Sequence, residues 1–109
     1  MKNKILSLIA LCKKAGKLVQ GFDVAAEAVA TGKAAGVFLS EDLSPKSKRS
    51  ITFICEENGI IPQTMPVTMD ELAFYIRKRV GILVVTDDGL AKKISTLIAM
   101  DNEKEDLIE

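Results

Sequence analysis

Two short runs of the chain, Gly36-Val37-Phe38-Leu39 and Ile82-Leu83-Val84-Val85, contain no polar side chain. A strand that alternates polar and apolar residues can leave one face in water, whereas a strand without polar residues must be covered on both faces. Such a sheet needs a helical layer above and another below, and the remaining segments supply them. Ile5, Leu8, Ile9 and Cys12 repeat at i, i+3, i+4 and i+7, which predicts a helix over about 3–15 that stops at Gly16. Leu18 to Gln20 is a short strand closed by Gly21, and Asp23 is a suitable N-cap for a second helix with Val24, Ala28 and Val29 on one side and Gly32 at its end.

Ser44-Pro45 opens a third helix, because proline is tolerated where the first helical N–H has no partner. Ile51, Ile54 and Cys55 point inward on it, and Asn58-Gly59 ends it. The strand expected over 63–67 is flanked by Pro62 and interrupted by Pro66, neither of which donates to a ladder, so it belongs at a sheet edge. Thr68-Met69-Asp70-Glu71 is a capping box for a fourth helix with Met69, Leu72, Ala73 and Ile76 on its apolar stripe. Ile82 to Val85 reads as a central strand, followed by Asp87 or Asp88 as the cap of a last helix bearing Leu90, Ile94, Leu97 and Ile98. The order α-β-α-β-α-β-α-β-α predicts a three-layer α/β/α sandwich around a four-stranded sheet, mixed or mostly parallel.

A chain of 109 residues allows one such core and no second domain. Histidine is absent, which removes the usual general base, the Ser-His and Cys-His nucleophile systems and the commonest metal ligand. Cys12 and Cys55 lack a CxxC spacing and read as small core residues of a reducing cytoplasm. No apolar run approaches the roughly 20 residues of a membrane span. No cofactor, metal or enzymatic activity is expected.

The 15 basic and 15 acidic residues balance, but they are unevenly placed. Residues 101–109 carry five acids against Lys104 and are expected to form a flexible acidic tail beyond a domain of residues 1–100. Lys2, Lys4, Lys13, Lys14 and Lys17 lie in the first twenty residues, which contain no acid. Of these, Lys13, Lys14 and Lys17 are expected to converge with Lys33, Lys46, Lys48, Arg49 and Arg77-Lys78-Arg79 on one face suited to phosphates. A second constellation is Gly21-Phe22-Asp23, where glycine at a helix start lets a ligand approach backbone N–H groups. A third is the acidic pairs Glu41-Asp42 and Asp87-Asp88 after apolar strands, the outline of a phosphoacceptor or Mg²⁺ site; Asp87 and Asp88 serve equally as helix caps.

Leu11-Cys12-Lys13-Lys14-Ala15-Gly16-Lys17-Leu18-Val19-Gln20-Gly21 resembles the (A/C)-x-K-A-G-K-L-V-x-G signature of small bacterial YlxQ-type proteins, members of the kink-turn RNA-binding superfamily of large-subunit ribosomal proteins seven-Ae and thirty-e. Leu39 to Lys46 is similar to the A-x-D-x-S-P-x stretch of that family, and Val84 to Ile94 to its closing strand and helix. The resemblance implies a cytoplasmic, monomeric, non-enzymatic protein that grips ribosomal or other structured RNA, with the ribosome or its proteins as further partners. It implies two RNA-contacting segments, Gln20, Gly21, Phe22, Asp23, Val24 and Glu27 in one and Arg77, Lys78, Arg79, Val80 and Gly81 in the other. Glu41, Asp42 and Lys46 line the space between, and Lys13, Lys14 and Lys17 add charge.

The chain departs from the G-x-(N/T)-(E/Q)-x-x-K motif of kink-turn readers at Val24, which accepts nothing from guanine edges, and at Glu27, which repels phosphate. Those departures point to a second reading, a protein-interaction adaptor that keeps the fold without specific RNA reading.

Overall fold

The computed structural model describes the backbone of residues 1–108 and the side chains of residues 1–103. Five helices, α1 (Lys2–Lys14), α2 (Phe22–Ala30), α3 (Pro45–Glu57), α4 (Met69–Ile76) and α5 (Asp88–Ile108), alternate with strands β1 (Leu18–Gln20), β2 (Gly36–Leu39), β3 (Gln63–Thr64) and β4 (Ile82–Val85). The expected acidic tail at 101–109 lies for the most part outside the described side chains.

The sheet order is β1-β4-β2-β3, with β4 antiparallel to both β1 and β2 and β3 parallel to β2. The sheet is therefore mixed. The apolar strands β2 and β4 hold its centre, and β3 lies at the edge its prolines predict. It is shorter than expected, two residues long, because Pro66 interrupts the ladder after Met65 donates to Leu39.

Pleating sorts the central strands into two cores. Val37, Leu39, Ile82 and Val84 pack with Ala25, Ala28 and Val29 of α2 and Ile51 and Cys55 of α3. Phe38, Leu83 and Val85 point the other way, into a larger cluster with Ile5, Leu6, Ile9 and Cys12 of α1, Leu72 and Ile76 of α4, and Ile94 and Ile98 of α5. Both faces are covered, as strands without polar residues require.

The helix ends follow local chemistry. At Gly16, Gly32 and Gly59, all with φ above 70°, the chain closes α1, α2 and α3 with paired hydrogen bonds such as Lys17 N–H to Cys12 O and Gly16 N–H to Lys13 O. Ser44 Oγ accepts from Ser47 N–H, and Asp87 Oδ2 accepts from Leu90 N–H. Thr68 and Glu71 form the reciprocal capping box. One expectation fails: Asp23 does not cap α2. Gly21 is the N-cap, and Asp23 lies in the first helical turn with no side-chain capping bond, where its charge complements the helix dipole. The buried stripe of α2 is Ala25, Ala28 and Val29, and Val24 flanks it, 46% exposed.

Candidate nucleic-acid interface

Strand direction decides which loops meet. Gly21 N–H donates to Ile82 O, Ser40 N–H to Gly81 O and Glu41 N–H to Val67 O. These bonds gather the β1–α2 turn, the β2–α3 loop and the α4–β4 loop at one end of the sheet. Thr86 N–H bonds to Lys17 O and Ala35 N–H to Val85 O at the opposite end.

Gln20, Gly21, Phe22 and Asp23 therefore stand beside Arg77, Lys78 and Arg79, with Glu41, Asp42 and Lys46 at the same end. The Lys78 ammonium bonds the Gln20 carbonyl at 3.5 Å. Arg79 Nε lies 2.9 Å from Asp70 Oδ1, an exposed ion pair of little energetic weight. The Lys13 ammonium donates to the Ile76 carbonyl, directly before the basic loop. Asp42 is committed to structure, since its Oδ1 accepts Met69 N–H at 3.0 Å. Val80 is 9% exposed and packs into the larger core cluster, so its side chain anchors the loop from within.

The expected convergence of all basic groups does not occur. Lys14 and Lys17 lie on the turn entering β1 from its far end, and Lys33 follows α2 at that same end. The physical reason is that each helix carries the chain back across the sheet, so cations before β1 and β2 are separated from those after them. The two acidic pairs are separated likewise. In the β2–β4 register Leu39 faces Ile82 and Gly36 faces Val85, so Glu41-Asp42 and Asp87-Asp88 leave opposite ends. The strands alone set them about 10 Å apart, which excludes a joint metal or phosphoacceptor site. Among the described residues no cluster of three or more metal-ligating acids and cysteines forms.

Two backbone features shape the gathered loops. Gly21 has φ 112° and ψ 164°, a region open essentially to glycine alone, and as the N-cap it sets where α2 begins. Arg77, the C-cap of α4, is the one described non-glycine residue with positive φ, at 62°. Gln20 Oε1 is buried without a hydrogen-bond partner among the described residues, next to this strained loop.

Phe53 was not foreseen as a surface residue of interest. It stands 63% exposed on the outer side of α3, beside Lys48 and Arg49. The signal was present in the sequence, since an aromatic residue at position 53 is out of phase with the buried stripe of Ile51, Ile54 and Cys55.

Among the described residues no helix is long and apolar enough to cross a membrane. None of the curated proteins matches the chain. Among solved structures, a protein of unknown function from Bacillus halodurans C is similar at 28% identity and a TM-score of 0.80, over 88% of this chain and 97% of that one. A 15.5 kD RNA binding protein from Giardia lamblia shares the fold, with a TM-score of 0.70 at 16% identity over 91% of this chain and 85% of that one. The sequence model of one family matches residues 3–95, nearly the whole sandwich: the chain belongs to the ribosomal protein L7Ae/L30e/S12e/Gadd45 family.

Proposed function

We propose that this protein is a non-enzymatic RNA-binding protein, a bacterial member of the YlxQ type that works in the cytoplasm as a monomer on ribosomal or other structured RNA with a kinked backbone. The observation that carries the reading is the bond from Lys78 to the Gln20 carbonyl. It brings a cation of the α4–β4 loop to the end of β1, next to the α2 N-terminus. Backbone N–H groups at a helix start and adjacent cations both donate to phosphate oxygens. Family membership and the fold shared with an RNA binding protein agree with it.

The chemistry of the face assigns the work unevenly. Val24 offers no hydrogen bond to a base edge, and exposed Glu27 repels phosphate one turn into α2. Affinity then rests on phosphate contacts from Lys46, Arg77, Lys78 and Arg79 and on the shape of the Gly21 turn, more than on reading guanine edges. A fluorescence anisotropy titration of kinked duplex RNA over a range of salt tests this. Four phosphate contacts predict a slope of log K against log salt of roughly −3 to −4. A flat response, or no binding, would leave the adaptor reading in its place.

A further inference from the structure

We propose that the outer face of α3 takes unpaired nucleotides flanking the structured RNA, with one base stacked on Phe53; the inference rests on the RNA reading above and extends it to a second contact. An open groove of about 480 Å³ runs along this helix, lined by Pro45, Lys48, Arg49, Thr52, Phe53 and Glu56. It starts at Pro45, at the sheet end where the loops gather. From there to Phe53 the helix rises about 12 Å, a span of a few nucleotides. The groove is thus continuous with the proposed interface.

Its chemistry suits single-stranded nucleic acid. Phe53 presents a largely exposed ring, and its ring pairs with no other aromatic among the described residues. Arg49 lies one turn before Phe53 on the same stripe, and Lys48 stands beside it. Neither forms an ion pair among the described residues. Cations that track a backbone beside an aromatic face on which a base stacks are the parts of a sequence-tolerant single-strand site. The groove has one acid, Glu56, at its far end, which limits the track to the half of α3 nearest the loops. An exposed phenyl ring one turn beyond a lysine and an arginine fits a nucleobase better than the apolar stripe of a protein helix, which would place its hydrophobic contacts against charge.

The test compares the affinity of the intact protein for blunt kinked duplex RNA with that for the same duplex carrying a short run of unpaired uridines at either end. The extension on the side facing α3 should strengthen binding roughly tenfold, the scale of one stacked base. Phe53→Ala should remove that gain and leave blunt RNA binding unchanged, while Phe53→Tyr should keep it. Because Phe53 is a surface residue, these variants keep the fold, which circular dichroism verifies. An extension that adds nothing, or a gain that survives Phe53→Ala, overturns the inference and leaves the RNA reading standing. Failure of both RNAs to bind overturns both.

Discussion

The Lys78 ammonium lies 3.5 Å from the main-chain carbonyl oxygen of Gln20, joining positions 58 residues apart in sequence. Gln20 is the last residue of β1, and Lys78 sits in the loop before β4, the strand that pairs with it. The contact is possible because β1 and β4 run antiparallel, which brings the exit of one beside the entrance of the other. A parallel pair would have placed Lys78 beside Lys17 instead.

That arrangement separates two kinds of lysine. Lys78→Ala should weaken binding to kinked RNA and reduce the salt slope by about one. Lys17→Ala, at the opposite end of the sheet, should change the slope by much less. Titrations of both variants at several salt concentrations check the difference.

Gly21→Ala tests backbone conformation with little steric interference, since an added Cβ would meet only Val24 Cγ2 at 3.9 Å. The strain of φ 112° should cost about 1–3 kcal/mol of stability. Urea denaturation should show a lower midpoint with an unchanged m-value. RNA affinity should fall as well, because the turn presents the first N–H groups of α2.

Arg77→Gly should separate stability from function. Relief of the left-handed conformation at φ 62° favours the folded state by up to about 1 kcal/mol. The same change removes a cation from the loop, so thermal stability should hold or rise while RNA affinity drops. A loss of both would show that the Arg77 side chain supports the loop.

Acid sensitivity follows from the α4 cap. The Thr68 N–H, followed by the Lys2 ammonium 3.0 Å away, holds the Glu71 carboxyl below its ordinary range. A group with a lowered folded value stabilises the protein above its unfolded value and loses that contribution as pH falls through the folded one. Wild type should therefore lose stability below about pH 4.5 more steeply than Glu71→Gln. Lys2 is raised by the same pair, so its share is present below its ordinary value of 10.5 and is lost as pH rises through the higher folded value. Thr68→Ala should cost about 1 kcal/mol at neutral pH. Thermal melts across pH measure all three effects.

Much of this fold was legible because it is decided within a turn or two of the chain. The stripe of Ile5, Ile9 and Cys12, the Ser44-Pro45 start, the Thr68–Glu71 box and the edge position forced by Pro62 and Pro66 are local statements. The α2 cap falls at Gly21 and not at Asp23 because the pairing of Gly21 N–H with Ile82, 61 residues away, fixes where the helix starts. The split of the basic residues was not legible for a similar reason. Charge at Lys17 and Lys33 is visible in sequence, but the direction of β4 decides which loops those residues join. Phe53 lies off the buried stripe of α3, and apolar periodicity, which reports burial, assigns nothing to the other side of a helix.

The most direct measurement is NMR of the isotopically labelled protein titrated with kinked duplex RNA, following backbone amides. The account predicts shifts concentrated at Gln20 to Asp23 and Arg77 to Gly81, with a weaker set at the start of α3. Amides near Lys17, Lys33 and Thr86 should stay in place. Shifts centred on that opposite end of the sheet, or none at RNA concentrations well above that of the protein, would contradict it.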